Sequence, residues 1–165
     1  MIHPDRFPGF VLGFSPTRPT SRGRIDIVSP DPAAPPAIRP NSLATAEDRE
    51  AAVAGGRLCR ALMQSRALSP LVAHTLDPRD LREMDDDEIL EDFRDRASTV
   101  FHPVGTCRMG ADPAGSVVDP RLRVHGLGGL RVADASVFPA VTSANTNAPT
   151  MMVAHRAAEL ILEEA

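Results

Sequence analysis

Apolar side chains recur at helical spacing in three stretches of the chain, and each stretch has start signals typical of a helix. The first helix is predicted to begin at Thr45, with acidic residues in its first turn, where they face the positive end of the helix dipole. Its apolar stripe comprises Leu58, Cys59, Leu62 and Met63. Because Cys59 lies on that stripe, we expect a buried structural thiol there instead of a reactive one.

The second helix begins within the acidic run at residues 85–88, and Ile89, Leu90 and Phe93 supply its apolar face. A run of carboxylates can also bind a hard cation. Negative charge at a helix start accounts for this run without a metal, so no metal site is predicted.

The last third of the chain predicts a strand and then a helix. Residues 130–133 are apolar enough for a buried strand, and Asp134 follows it directly. The helix comes after Asn147, a candidate cap, and has Pro149 in its first turn. Its body is largely apolar, and we interpret the methionines at 151 and 152 as core filling.

Residues 21–28 predict a further strand near the start of the chain. Ile25 and Ile27 alternate with polar neighbours, which is typical of a half-buried strand. Five prolines between residues 30 and 40 oppose regular structure, so residues 29–43 are expected to form an extended loop.

Composition limits the classes of partner and the compartment. The 165 residues suit one domain of ordinary size, and a formal charge of −4, without a basic patch, gives no case for binding nucleic acid or an anionic membrane. The first residues lack a secretory-type start, and no apolar run approaches membrane-spanning length. The two cysteines show no metal-ligand spacing. We therefore expect a soluble, cytoplasmic protein.

His102 is the first candidate for chemistry. It lies in F-H-P-V-G-T-C-R-M-G, residues 101–110, where Pro103 stiffens the backbone and Gly105 frees it again. Histidine titrates near neutrality, so an imidazole held in such a turn can take and return a proton. A lone histidine in a loop is more often a surface or packing residue, and the residues of this turn alone leave both interpretations open.

Three ordered blocks of the chain resemble the C-terminal part of the glucose-methanol-choline (GMC) oxidoreductases, flavoproteins that oxidise alcohols. The resemblance runs from H-P-V-G-T-C-R-M-G through V-V-D-P-R-L-R-V-H-G-L-G-G-L-R-V-A-D-A-S-V-F-P to N-T-N-A-P-T-M-M-V-A-H-R-A-A-E-L-I. Weaker agreement precedes it at residues 21–32 and 38–43. The stretch N-T-N-A-P-T-M-M is most similar to choline dehydrogenases and related alcohol dehydrogenases.

The resemblance implies FAD as cofactor and a small-molecule alcohol as substrate. It implies His102 as the base that removes the hydroxyl proton while hydride passes to FAD, and Asn145 as a hydrogen-bond donor to the alkoxide. By itself, Asn145 would be interpreted as a turn or capping residue. The implied cofactor contacts are Asp134 and Ala135, on the ribityl and pyrophosphate portion, and Thr146, Asn147 and Ala148, at the pyrimidine end of the flavin.

The resemblance also implies a fold class and a division of the chain. The class is α/β with α+β character: a substrate-side antiparallel sheet with helices, plus the closing strand and helix of an FAD-binding domain. Residues 1–114 would form the C-terminal substrate-binding region with the His102 loop, and residues 115–165 would complete the FAD-binding domain. Relatives begin with a G-x-G-x-x-G turn, which this sequence lacks, so the fold is expected to be incomplete.

Three functional hypotheses follow from that missing turn. The chain can be part of an enzyme, either as a piece of a longer polypeptide or beside a separate FAD-binding chain. It can be a remnant without catalysis, or a module that serves interaction only. Intact motifs favour the enzyme, which we expect to be inactive without the FAD-binding part.

Overall fold

The computed structural model describes residues 7–76 and 79–164. Within them it contains three α-helices, two short strands and two single-turn 3-10 helices. The elements are β1 (Arg24–Asp26), β2 (Ala37–Arg39), α1 (Ala46–Met63), α2 (Asp86–Arg96) and α3 (Asn147–Leu162), with 3-10 turns at Ser69–Leu71 and Ala135–Val137. Residues 1–6, on which the prediction of no secretory start depends, lie outside the described part.

The chain divides into two compact units. One unit comprises residues up to Pro16 together with Arg49–Ala97, and the other comprises Thr17–Asp48 and Ser98–Ala165. These units are defined by contacts within this chain. The boundary predicted at residue 114 instead separates two regions with different expected roles in a larger protein. That boundary stays a prediction.

In the first unit, α1 and α2 pack closely at a pair of glycines. A Cβ atom added to Gly56 would lie 2.4 Å from Cγ2 of Ile89, which is only 3% exposed. A Cβ atom added to Gly55 would lie 2.1 Å from the ring of Phe14, which in turn stacks at 5.4 Å on Phe93. Glycine lowers helix propensity, but here it permits the approach of two apolar side chains.

The cysteine of α1 is buried, as predicted, but the apolar stripe around it differs from the prediction. Cys59 is 5% exposed, and burial raises the pKa of its thiol. Leu58 and Leu62 are instead 59% and 41% exposed. The buried line of α1 runs through Ala52, Gly56 and Cys59, because the small residues allow the neighbouring elements to come close.

The acidic run lies at the start of α2, as predicted. The side chain of Asp85 accepts a hydrogen bond from the Glu88 N–H at 2.9 Å, and the Glu88 carboxylate accepts one from the Asp85 N–H at 2.8 Å. This reciprocal pair is a capping box, which satisfies N–H groups that the helix itself cannot. Asp86 forms an ion pair with Arg57 of α1.

In the second unit, β1 and β2 form an antiparallel pair with Ile25 opposite Ile38. β2 lies within the residues predicted to form a loop, because the prolines flank the three-residue strand instead of interrupting it. Ile25 and Ile27 are 50% and 91% exposed. The strand prediction is therefore confirmed in position, but its side chains are not half-buried within the described residues.

The core of the second unit joins the segment after the His102 loop to α3. Its members are buried apolar residues from three parts of the sequence: Val118, Leu122, Val137, Phe138, Val153 and Ala157. Isolated bridges connect the segments, among them Met109 with Val118 and Arg123 with Arg131. The ends of short extended pieces thus meet without forming a wide sheet.

Two elements of this unit differ from their predictions. Residues 130–133 form a bridge instead of a strand, since the partnering segment includes Leu122, whose φ of 64° interrupts the extended backbone. Met151 and Met152 are 59% and 60% exposed, so they do not fill the core of this chain. Within residues 7–76 and 79–164, no helix has the length and apolar character that crossing a membrane requires.

Candidate active site

The turn that carries His102 is held in an unusual backbone conformation. Phe101 has a φ of 61°, in the left-handed region that bulky residues rarely adopt, and Gly105 has a φ of 87°. The Phe101 N–H donates to Oγ1 of Thr99 at 3.0 Å, which supports this conformation. Phe101 is 81% exposed, while His102 is half-buried. A strained and supported turn therefore fixes the position of the imidazole.

Backbone hydrogen bonds fasten the end of this turn to the core. The Cys107 N–H donates to the carbonyl of Ser136 at 3.0 Å, and the Met109 N–H donates to the carbonyl of Val137 at 2.8 Å. Val137 is fully buried. Since Cys107 itself is half-buried beside these bonds, its role is consistent with packing around the turn.

The side chain of Thr146 is within hydrogen-bond distance of the imidazole of His102. Oγ1 of Thr146 lies 3.1 Å from Nδ1, and either atom can donate the hydrogen in such a pair, depending on the tautomer. Thr146 is 7% exposed, so the contact is shielded from water. Among the residues that the structure describes, no side chain binds the other ring nitrogen, Nε2.

Thr146 also marks the beginning of α3. It is the N-cap residue, where the sequence suggested Asn147, yet its side chain makes no capping hydrogen bond to the helix. Its carbonyl accepts hydrogen bonds from the N–H and the hydroxyl of Thr150, at 3.0 and 2.6 Å. The first turn of α3 contains no acidic residue, unlike the first turns of α1 and α2.

Asn145 directly precedes Thr146 and is exposed. Its amide therefore has access to solvent beside the residue that contacts His102. Asn147 and Ala148, predicted as cofactor contacts, are exposed in the first turn of α3. The structure brings the His102 turn and the start of α3 together, although Thr146 lies 44 positions after His102 in the sequence.

Asp134 lies at the start of the 3-10 turn instead of the end of a strand. Its carboxylate accepts a hydrogen bond from the Ser136 N–H at 2.8 Å, and hydrogen bonds from Ser136 hold its pKa below the ordinary value. Asp134 is therefore ionised at neutral pH and remains exposed. Ala135 is half-buried and packs against the core, so only its backbone could serve a ligand.

One residue of this region, Ser136, and one contact, between Thr146 and His102, were not predicted from the sequence. Ser136 supports Asp134 through its N–H and the His102 turn through its carbonyl. An Asp two residues before a serine is typical of an Asx turn, and that signal could have indicated it. The contact between Thr146 and His102 has no local signal, because it joins distant parts of the sequence.

The chain is similar to known proteins along most of its length. The model of a family described as GMC oxidoreductase matches residues 19–154. An alcohol dehydrogenase (acceptor) of Pseudomonas putida is 45% identical over 156 residues, which cover 94% of this chain and 28% of that protein. An oxygen-dependent choline dehydrogenase of Pseudomonas fluorescens is 43% identical over 154 residues, which cover 93% of this chain and 27% of that protein.

Solved structures agree with these relatives. An FAD-dependent oxidoreductase from Chaetomium thermophilum has a TM-score of 0.84 and 28% identity, covering 90% of this chain and 26% of that one. A formate oxidase variant from Aspergillus oryzae, studied for FAD modification, has a TM-score of 0.80 and 32% identity, covering 88% of this chain and 25% of that one. The chain thus spans between a quarter and three tenths of the length of these proteins.

The family match covers most of the sequence, and the fixed histidine beside the start of a helix agrees with it. The relatives and structural neighbours include alcohol and choline dehydrogenases and FAD-dependent oxidoreductases, and the family binds FAD. The chain belongs to the GMC oxidoreductase family and corresponds to its C-terminal domain.

Proposed function

We propose that this chain is the C-terminal part of a flavin-dependent oxidoreductase that acts on CH–OH groups, with His102 as the base that removes the hydroxyl proton. The observation that carries this proposal is the environment of the imidazole. Nδ1 faces the hydroxyl of Thr146, while no side chain in the described part of the chain binds Nε2. An imidazole fixed on one side and open on the other suits a general base.

The residues of this chain supply the proton chemistry of the reaction. FAD, when bound, would accept the hydride, which no protein side chain can accept. The neutral imidazole of His102 would take the proton from the alcohol oxygen. The side-chain amide of Asn145 would donate a hydrogen bond to the same oxygen as negative charge develops there, which stabilises the transition state more than the ground state.

The surfaces proposed to hold FAD fit the groups that they would meet. The ionised Asp134 is suited to accept hydrogen bonds from the ribityl hydroxyls, whereas it would repel a phosphate. The first turn of α3 presents the amides of Asn147 and Ala148 without an acidic side chain or a capping side chain. Such a helix end favours negative charge, which a reduced flavin carries on its pyrimidine ring.

The substrate is proposed to be a small alcohol, by analogy with the alcohol and choline dehydrogenases among the relatives. The remaining FAD contacts would come from an FAD-binding part, either in the same polypeptide or in a separate chain. The competing hypothesis of a non-catalytic remnant or interaction module predicts that no such assembly binds flavin.

A chimera tests the proposal directly. The segment of the Pseudomonas putida alcohol dehydrogenase that matches this chain would be replaced by the 165 residues of the chain. We expect the purified chimera to retain FAD, and one of a panel of ethanol, 1-butanol, benzyl alcohol and choline to bleach its absorbance anaerobically. A chimera that retains FAD but is bleached by none of them would contradict the catalytic proposal. A folded chimera without FAD would favour the non-catalytic alternative.

A further inference from the structure

Thr146 occupies a capping position without capping the helix. Threonine at an N-cap normally accepts a hydrogen bond from an N–H of the first turn, which stabilises a helix by roughly 1 kcal/mol. Here the side chain makes no such bond, and its hydroxyl lies 3.1 Å from Nδ1 of His102. The contact with the imidazole has replaced the usual role of the residue.

We propose that Thr146 is a positioning residue for His102, whose hydroxyl accepts a hydrogen bond from Nδ1–H and thereby leaves the lone pair of the neutral imidazole on Nε2. The direction of this bond matters because only an unprotonated nitrogen can take a proton. The assignment of Nε2 as the base rests on the proposed function, while the hydrogen bond and the tautomer are properties of the chain itself.

A Thr146 hydroxyl that accepts from Nδ1–H can keep this hydrogen bond in both protonation states of His102. When Nε2 takes a proton, both ring nitrogens carry hydrogen, so Nδ1 can only donate. A hydroxyl that already accepts from Nδ1–H keeps its bond, which becomes charge-assisted. A hydroxyl that donated to Nδ1 would place the resting proton on Nε2, where it would block proton uptake.

The surroundings of Thr146 favour a fixed hydroxyl. Its carbonyl is held by the N–H and the hydroxyl of Thr150, and its residue is 7% exposed. Burial keeps water from competing for Nδ1, and the first turn of α3 determines the position of the backbone. The imidazole is therefore supported by the turn at Phe101 and by α3 together.

The tautomer of His102 can be measured without flavin. Long-range proton–nitrogen NMR of the chain labelled with nitrogen-15 distinguishes a protonated ring nitrogen from an unprotonated one, and the His102→Gln spectrum assigns the signals among the five histidines. We expect hydrogen on Nδ1 and the lone pair on Nε2 in the neutral state. A proton on Nε2 in the wild-type chain would overturn the proposal without any variant.

Variants of Thr146 test whether its hydroxyl determines the tautomer of His102. Thr146→Val keeps the shape but removes the hydroxyl, and we expect the tautomer population to move toward Nε2–H. Thr146→Ser should restore the wild-type pattern. Ser143→Ala removes a nearby exposed hydroxyl that is hydrogen-bonded to Arg18, and should leave the His102 signals unchanged. Identical His102 signals in the wild type and Thr146→Val would refute the positioning role.

A kinetic measurement on the FAD-loaded chimera separates this proposal from the function on which it rests. We expect Thr146→Val to slow anaerobic flavin reduction about ten- to hundredfold with little change in substrate affinity, and Thr146→Ser to recover most of the rate. A shifted tautomer with an unchanged rate of flavin reduction would show that His102 is not the base, while the hydrogen bond between Thr146 and His102 would still be supported. If Thr146→Val leaves the tautomer unshifted and the chimera is active, Thr146 is not the positioning residue, while the proposed function would still be supported.

Discussion

His102, Thr146 and Asn145 form the part of the molecule in which the chemistry is proposed to occur. The imidazole would move the proton, the threonine hydroxyl would orient the imidazole, and the amide would meet the oxygen that becomes negative. Only the contact between His102 and Thr146 is seen directly, at 3.1 Å. The neighbouring Asn145 is exposed and therefore available to a substrate.

Removal of the Asn145 amide should affect the reaction more than substrate binding. We expect Asn145→Ala, in the FAD-loaded chimera, to lower the rate of flavin reduction about a hundredfold, because a donor that stabilises developing charge acts mainly in the transition state. Stopped-flow reduction at several alcohol concentrations separates rate from affinity. Ser143→Ala changes a nearby exposed side chain that is hydrogen-bonded to Arg18. In this variant the flavin should be reduced at the wild-type rate. Equal losses in both variants would contradict the role of Asn145.

Asp48 links residues 20 and 21 to the beginning of α1. Burial disfavours its charge, but hydrogen bonds from Ser21 and Thr20 outweigh burial and hold its pKa well below the ordinary value. The N–H groups of Thr20 and Ser21 donate to its carboxylate at 2.8 and 2.9 Å. The carboxylate therefore stabilises the fold only while it is ionised.

This lowered pKa predicts a pH dependence of stability. Because the folded pKa of Asp48 lies below the unfolded one, its contribution is complete above about pH 4 and is lost as the pH falls toward the folded pKa. Unfolding in urea at a series of acidic pH values should show a shallower loss of stability for Asp48→Asn than for the wild type. Asp87→Asn, a change at an exposed acid in the first turn of α2, should retain the wild-type slope. Parallel curves for Asp48→Asn and wild type would contradict the account.

At the scale of the elements, α1 and α2 depend on the small size of Gly56. An alanine there would place its Cβ atom 2.4 Å from Cγ2 of Ile89, so the Ile89 side chain or one of the helices must shift. Although alanine is the better helix former, we expect Gly56→Ala to destabilise the chain by about 1–3 kcal/mol, as overpacked cores do. Gly128 has open space around its backbone, and Gly128→Ala is the matched control. Urea unfolding measures both, and equal stabilities of the two variants would show that the helices do not pack at Gly56.

The capping box of α2 gives a second test at this scale. Asp85→Ala removes the side chain that accepts from the Glu88 N–H at 2.9 Å, and should cost about 1 kcal/mol of unfolding free energy. Asp87→Ala removes a charge from the same turn without breaking the capping box, and should lower the unfolding free energy by only about a few tenths of a kcal/mol. A loss for Asp87→Ala as large as that for Asp85→Ala would assign the effect to charge instead of capping.

Elements with local signals could be predicted from the sequence, and elements that depend on distant partners could not. The starts of α1 and α2 follow from capping and acidic residues close in sequence, and both predictions are confirmed. β2 was missed because its pairing with β1 is set across a proline-rich turn. Residues 130–133 have the composition of a strand, but the segment beside them offers one bridge only.

The site shows the same limit. The motif around His102 and the turn before α3 could be recognised from their residues, whereas the contact that joins them could not. Thr146 was expected to face the flavin, but its hydroxyl faces Nδ1 of His102. Its predicted contact with the cofactor stays a prediction.

At the scale of the whole molecule, the chain holds the proposed proton chemistry and only part of the proposed flavin site. It corresponds to 28% of the length of the alcohol dehydrogenase from Pseudomonas putida, and the sequence contains no G-x-G-x-x-G turn. The pyrophosphate of FAD would therefore be held by another part of the assembly, while α3 and Asp134 would face the flavin and its ribityl group. Activity should require both parts.

The rate of anaerobic flavin reduction in the chimera tests the central claim most directly. With the alcohol that reduces the wild-type chimera fastest, we expect His102→Gln to retain FAD and to reduce at least about a hundredfold more slowly, the usual contribution of a general base. His155→Gln, a change at an exposed histidine of α3, should reduce at the wild-type rate. Flavin reduction by His102→Gln at the rate of His155→Gln would show that His102 is not the base.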